Sequence, residues 1–238
     1  MRQHIDTIPV WDAYKQDCEC PLCLLEDTNE HNYVDAFMGG SVMEPDVRVE
    51  VNKKGFCGRH FKLMLNNNNR LGVALMAHTY LKETIAKLGQ TQMAVNATPA
   101  KTGLFGKKAP APGADLSAIT DTCILCDRLN ATMDRYVYTL VYMWKHESAF
   151  KSQLLASKGL CLKHYAQVLK TAPELLNGQE LKQFTDAINK LETDNLARLE
   201  KEIEWFTLKF DHKNADKPWG TSKDSLDRTV LKLRGKCV

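Results

Sequence analysis

Two seven-residue stretches, GFCGRHF at 55–61 and GLCLKHY at 159–165, decide how this 238-residue sequence is interpreted. In each, a cysteine follows the glycine by two residues and a histidine follows the cysteine by three. Glycine commonly terminates helices, and thiolates and imidazoles are the usual ligands of zinc. Each stretch therefore predicts a helix end, followed by half of a metal site at the start of the next helix.

A CxxC pair precedes each of these stretches, as CPLC at 20–23 and CILC at 123–126. The two CxxC pairs are 103 residues apart and the two CxxH pairs are 104 residues apart, so one inserted residue accounts for the difference. Aromatic and glycine positions keep the same offsets, which indicates an internal duplication. The eight predicted metal ligands are Cys20, Cys23, Cys57, His60, Cys123, Cys126, Cys161 and His164.

Four ligands per repeat predict two closed Cys3His sites, each holding a structural Zn²⁺. Within a repeat, 34 residues separate Cys23 from Cys57 and 35 separate Cys126 from Cys161. This near-equal spacing favours a site within each repeat, while a site that combines the CxxC of one repeat with the CxxH of the other stays open. Three Cys and one His are also compatible with an iron–sulfur cluster, and CxxC pairs with reversible disulfide chemistry.

Helical periodicity dominates the chain, and the predicted fold is all-α: two related helical half-domains, each with a Cys3His site, and a long C-terminal helix. The predicted first repeat covers residues 1–90, a flexible Ala/Pro/Gly linker 91–118, and the second repeat 119–177. Residues 178–238 are expected to form a long helix, a Trp-containing loop and a last helix that pack on the repeats. Two apolar stripes are predicted to face the core, one formed by Leu71, Leu75, His78, Ile85 and Leu88, the other by Leu125, Leu129, Tyr136, Leu140 and Met143.

Composition excludes several classes of protein. The net charge is only +3, so nothing demands a nucleic-acid or anionic-membrane partner. The N-terminus has no apolar run typical of a signal peptide, and no stretch approaches a membrane span of about 20 apolar residues. We therefore expect a cytoplasmic protein without membrane contact, in which paired cysteines indicate metal or redox chemistry rather than structural disulfides.

No catalytic apparatus is recognisable, and the sequence favours a protein without enzymatic activity. No GxSxG, HExxH or GxGxxG motif occurs. The carboxylates of LEDTNE at 25–30 are expected on a solvated helix face, and Cys18 and Cys237 are expected to be free thiols. Trp219 is expected to anchor the loop Asp211–Trp219 on the core, although this loop also has the composition of a binding surface.

The chain resembles an uncharacterised bacterial family with a duplicated CPxC…G[FL]CxxH pattern and a C-terminal segment like NADKPWG, found here at 214–220. The resemblance covers nearly the whole chain, although the second CxxC lacks the proline. It implies a bacterial, cytoplasmic setting and no particular activity. The leading hypothesis is a zinc-binding interaction or adaptor module with a protein partner. An iron–sulfur or thiol–disulfide redox protein is the main alternative, and a basic C-terminal helix leaves nucleic-acid binding as a weaker one.

Overall fold

The computed structural model describes residues 3–97 and 119–236, and within these ranges it is helical with no strand. This confirms the predicted all-α class and the long helix near the C-terminus. The α-helices in these ranges are α1 Gln3–Tyr14, α2 Pro21–Met38, α3 Pro45–Lys54, α4 Gly58–Leu65, α5 Arg70–Ala97, α6 Ile124–His146, α7 Ser148–Leu155, α8 Leu162–Thr171, α9 Gly178–Leu208 and α10 Ser225–Arg234. Short 3-10 helices occur at Gly40–Met43, Ala172–Glu174, His212–Asn214 and Gly220–Ser222.

The chain divides into two compact units. The first unit combines Met1–Asn29 with Ala131–Val238, and the second is Glu30–Asn130. The boundaries fall inside α2 and α6, whereas the predicted domains follow the order of the repeats along the chain. Each unit therefore contains segments of both repeats.

Each repeat has the same order of helices: a long one that starts at the CxxC, a shorter one, and a third that starts at the CxxH. Gly55 ends α3 as predicted, with a φ of 62° and its N–H donated to the carbonyl of Val51 at 2.7 Å. In the second repeat α7 ends earlier than predicted, at Leu155, because the Ser157 hydroxyl bonds the Leu154 carbonyl at 2.7 Å. Gly159 still has a φ of 77°, but it lies in the following loop.

The second unit has an apolar core to which α2 to α6 all contribute. Phe37 and Phe56 pack edge-to-face within it, with ring centroids 5.7 Å apart. Its buried members are Val34, Phe37, Met38, Val42, Val51, Phe56, Met64, Val73, Met76, Cys123, Ile124 and Leu125. Cys123 of the second CxxC and its neighbours Ile124 and Leu125 belong to this core, so the core contains a predicted metal ligand.

The first unit buries the apolar faces of α6 and α9. Trp144 and Phe184 pack edge-to-face with centroids 5.1 Å apart, and Phe184 is fully buried. The predicted stripe of α6 is confirmed, since all five of its members are buried. The prediction that Trp219 anchors its loop on the core was wrong, because the ring packs on Phe206 and Phe210 at the end of α9, and Phe210 is 76% exposed.

The predicted core-facing stripe of α5 was wrong. Leu71 is 70% exposed and Ile85 is 61% exposed, and His78 is also exposed. The buried side of α5 is instead formed by Val73 and Met76, which fill the core of the second unit. An exposed apolar face thus runs along α5.

The predicted linker at 91–118 is only partly within the described residues. Its first seven residues belong to α5, which continues to Ala97, and residues 98–118 lie outside the described part of the chain. None of the described helices combines the length and the apolarity that crossing a lipid bilayer requires.

Candidate metal centres

The first centre, in the first unit, consists of Cys20, Cys23, Cys161 and His164, and all four residues are buried. The Nδ1 atom of His164 lies 3.4 Å from the Cys20 and Cys23 sulfurs and 3.3 Å from the Cys161 sulfur. The sulfurs of Cys23 and Cys161 are 3.5 Å apart. Three thiol sulfurs and one imidazole nitrogen therefore surround a common point.

The second centre, in the second unit, consists of Cys57, His60, Cys123 and Cys126. The Nδ1 atom of His60 lies 3.3 Å from Cys57, 3.2 Å from Cys123 and 3.4 Å from Cys126. The Cys57 and Cys126 sulfurs are 3.8 Å apart. The four donor atoms of each centre all lie within 4.8 Å of one another, so both Cys3His groups could hold a metal ion.

All eight predicted ligands are thus brought together, but the favoured pairing within each repeat was wrong. Each centre takes its CxxC from one repeat and its CxxH from the other. Helix lengths give the reason: α2 has 18 residues and is about 27 Å long, whereas α3 has 10 residues and is about 15 Å long, too short to carry the chain back along the whole of α2. The CxxH therefore does not return to its own CxxC.

All four motifs stand at helix N-termini, where unpaired backbone N–H groups favour negative charge. Cys57 and Cys161 are the N-cap residues of α4 and α8. The Cys161 sulfur accepts the N–H of His164 at 3.5 Å, and the Cys20 sulfur accepts that of Cys23 at 3.4 Å. These contacts stabilise thiolates even without a bound metal.

Burial acts in the opposite direction on the thiols. It raises the pKa of Cys20 and of Cys126, and the hydrogen bond with Cys161, together with burial, raises the pKa of Cys23 to about 12. The pKa of Cys161 is lowered because Cys20 and Cys23 donate hydrogen bonds to it. In the first centre only the pKa of Cys161 is shifted toward the thiolate, so three thiolates together would need a cation among them.

The histidines place their second nitrogen against a buried carboxylate. His60 Nε2 lies 3.0 Å from Glu30 Oε1, and both side chains are 2% exposed. Glu30 Oε1 and His164 Nε2 are both buried without a hydrogen bond in the structure, and His164 Nε2 lies 3.5 Å from Glu26 Oε2. A metal bound at Nδ1 leaves the proton on Nε2, which is the tautomer that donates to these carboxylates. The surroundings therefore fit a metal ion in both centres.

A family model covering residues 1–238 matches the sequence. The chain belongs to DUF6062, a family of unknown function. No curated protein and no solved structure matches it. The family assignment agrees with the resemblance seen in the sequence and assigns no activity to the two centres.

In this DUF6062 chain, Glu26 and Glu30 are the site residues that sequence reasoning missed. They belong to the segment LEDTNE, which was expected on a solvated helix face, yet Glu26 is 8% and Glu30 2% exposed. The spacing of four residues places them on one face of α2, and a buried helix face was the only signal that could have singled them out.

The two centres differ in exposure and in what surrounds them. Cys57 and Cys126 of the second centre are half-buried, whereas the first centre is buried throughout. Beside the first centre, Glu19 binds Arg198 at 2.6 Å and Arg228 at 3.2 Å. Helices α9 and α10 therefore cover the first centre with charged pairs.

A second buried pair, Glu192 and Lys232, contacts the loop that precedes α8. Glu192 Oε1 accepts the N–H of Leu160 at 2.6 Å, and its other oxygen lies 3.6 Å from the Lys232 ammonium. Burial raises the pKa of Glu192 to about 7. Since Leu160 precedes Cys161, this pair fixes the backbone that carries one of the candidate ligands of the first centre.

Of the two remaining cysteines, only Cys18 lies within the described residues. Cys18 is half-buried and belongs to neither group, in agreement with the prediction of a free thiol, and Cys237 lies outside the described residues.

Proposed function

We propose that this protein is a structural zinc protein that binds one Zn²⁺ in each Cys3His centre and acts as a non-enzymatic interaction module. The observation that carries the zinc assignment is the compactness of both groups, in which all four donor atoms lie within 4.8 Å of one another. Four protein ligands close a zinc site and leave no position for a water or a substrate.

The distances support a single ion in each centre. Zinc lies about 2.3 Å from sulfur and about 2.0–2.1 Å from nitrogen, so a tetrahedron separates two sulfurs by about 3.8 Å and sulfur from nitrogen by about 3.5 Å. The corresponding separations here are 3.5 and 3.8 Å between sulfurs and 3.2 to 3.4 Å between sulfur and nitrogen.

An iron–sulfur cluster fits these groups less well. Its ligands bind two or four different irons and are spread around the whole cluster. Ligands gathered around one point support a mononuclear ion, and the burial of Cys20, Cys23 and Cys123 argues against CxxC pairs that exchange disulfides with a partner, which need an accessible thiolate.

Elemental analysis after anaerobic purification tests the zinc proposal, with two zinc ions per chain as the expected result. Removal of the metal by a chelator should unfold the helices, since a structural site contributes on the order of 10 kcal/mol to folding. Circular dichroism at 222 nm follows this loss. A colourless protein that stays fully helical without metal would contradict the proposal, and absorption near 400 nm with acid-labile sulfide would support a cluster.

The exposed face of α5 supports a role in protein interaction. Leu71, Leu81 and Ile85 are 70%, 58% and 61% exposed, and Leu75 and Leu88 extend the same face. Residues 71, 75, 78 and 85 follow the spacing by which helices pair side by side. We propose that a protein partner in the cytoplasm binds here and that the metal centres stabilise the unit that presents this face.

The double substitution Leu81→Lys and Ile85→Lys tests this role without touching either centre. Zinc content and helicity should stay unchanged, while proteins that co-purify with the wild type should be lost. A matched control is Glu83→Lys, which introduces a lysine on the same turn but away from the row of residues 71, 75, 78 and 85. Retention of the same partners by the double variant would contradict the proposed surface, and salt-sensitive retention on heparin would instead support nucleic-acid binding.

A further inference from the structure

Each histidine of the two centres faces a glutamate, and that glutamate also pairs with the basic residue directly before the histidine in the chain. Arg59 binds Glu30 Oε2 at 2.6 Å, while the other oxygen of Glu30 faces His60. Lys163 binds Glu26 Oε1 at 2.5 Å, while the other oxygen of Glu26 faces His164. The same three-residue arrangement of cation, carboxylate and histidine therefore occurs in both units.

The repetition of this arrangement does not follow from the sequence duplication. Both glutamates lie on α2, and at the offset of 103 residues their counterparts on α6 are Leu129 and Met133, which are apolar. The CxxH of each repeat has thus acquired a carboxylate from the same helix, although the duplicated helix offers none at the equivalent positions. An incidental contact would not be expected to recur in both units.

The chemistry of the arrangement explains why it would be retained. A carboxylate that accepts the Nε2–H holds the imidazole in the tautomer with Nδ1 free, fixes the plane of the ring and makes Nδ1 a stronger donor to a metal. A buried carboxylate is costly unless it is paired, and Arg59 or Lys163 provides that partner. Because Arg59 and Lys163 each directly precede the histidine in sequence, the cation and the histidine are carried by the same first turn of a helix.

We infer that Glu30 and Glu26 are positioning residues of the two metal centres, with Arg59 and Lys163 as their counter-ions. The inference rests on the proposed zinc function and assigns to each glutamate an effect on its own centre alone. Glu30 orients His60 and raises the zinc affinity of the second centre. Glu26 does the same for His164 and the first centre.

The substitutions Glu30→Gln and Glu26→Gln test this inference in the full-length zinc protein, because they keep the shape of the side chain and remove its charge. Transfer of zinc to a competing chelator is followed separately at His60 and His164 by NMR of ¹⁵N-labelled imidazoles. We expect Glu30→Gln to weaken the second centre by about 10–100-fold and to leave the first within about twofold, with the reverse for Glu26→Gln. The Nε2–H resonance of the affected histidine should also lose its protection from exchange.

Asp127→Asn is the matched control, because Asp127 adjoins the ligand Cys126 but pairs with Lys54 at the surface instead of with a histidine. It should leave both affinities and both imidazole spectra unchanged. In each glutamate variant the untouched centre reports on folding, so a loss of affinity in both centres would indicate general destabilisation and overturn the inference. Unchanged affinity in a protein that binds two zinc ions would overturn the inference alone, and a folded wild type without metal would overturn the zinc proposal as well.

Discussion

At the scale of single residues, the metal centres depend on positions that the motifs only partly define. Spacing identified all eight residues of the two Cys3His groups, because Cys and His at i and i+3 can face one point from a helix start. The carboxylates opposite His60 and His164 were not identifiable, since nothing in LEDTNE distinguishes a buried helix face from a solvated one. The glycines of the two stretches did indicate special backbone positions, because Gly55 and Gly159 both have the positive φ that glycine favours.

Gly55→Ala should destabilise the second unit. A β-carbon at Gly55 would lie 2.3 Å from the ring of Tyr80, and the φ of 62° is strained for alanine. We expect a loss of about 1–3 kcal/mol from the backbone strain, with a further loss from the overlap. Urea denaturation of the zinc-loaded protein measures this change.

Gly89→Ala is the control for Gly55→Ala, since it lies inside α5 and a β-carbon there has no neighbour within 4 Å. It should be neutral or stabilise the protein by up to about 1 kcal/mol, because alanine is the better helix former. Equal stability of the two variants would contradict the role assigned to Gly55.

At the scale of helices, periodicity predicted the elements better than it predicted what they contact. The stripes of α5 and α6 have the same period, yet that of α6 is buried and that of α5 is exposed. A period of 3.6 residues indicates that a helix has an apolar face and does not identify the surface that covers it. The pairing of the metal motifs depended in the same way on helix lengths, because α2 is much longer than the α3 that follows it.

Lys232→Met should loosen α10 from the first unit. The Lys232 side chain is 1% exposed, donates to the carbonyls of Glu19 and Lys158, and lies 3.6 Å from Glu192. Removing one member of a buried charged pair costs about 3–5 kcal/mol. We expect the lower end of that range, because the pKa of Glu192, about 7, allows its carboxyl to take up a proton once the lysine is gone.

The measurement for Lys232→Met is again the free energy of unfolding, compared with Lys182→Met on α9. Lys182 pairs with Asp186 but is 74% exposed, so its loss should change stability by less than about 0.5 kcal/mol. A similar effect of the two substitutions would show that the buried ammonium does not anchor α10.

At the scale of the whole molecule, two centres with the same four ligand types stand in different surroundings. The first is buried and covered by the charged pairs of α9 and α10, whereas two cysteines of the second are half-buried. Duplication accounts for the shared chemistry. The difference comes from residues 178–238, which have no counterpart in the first repeat and contribute α9 and α10 to the first unit alone.

The second centre should therefore lose its zinc first. On addition of excess chelator to the native protein, we expect two resolved kinetic phases of equal amplitude, the faster one from the second centre. Cys57→Ser should abolish the fast phase and Cys161→Ser the slow one. A single phase for both ions, or loss of the first centre ahead of the second, would contradict the link between thiol exposure and metal release.

The exchange of CxxC pairs between the repeats also sets the order in which a ribosome can complete the centres. The ligands of the second centre span residues 57–126, whereas those of the first span 20–164. Synthesis proceeds from the N-terminus, so Cys20 and Cys23 are made first, but their centre is complete only after His164 has been made. A growing chain thus carries Cys20 and Cys23 as free thiols at a stage when all four residues of the second centre have been made. The centre that is assembled last becomes the one most deeply enclosed.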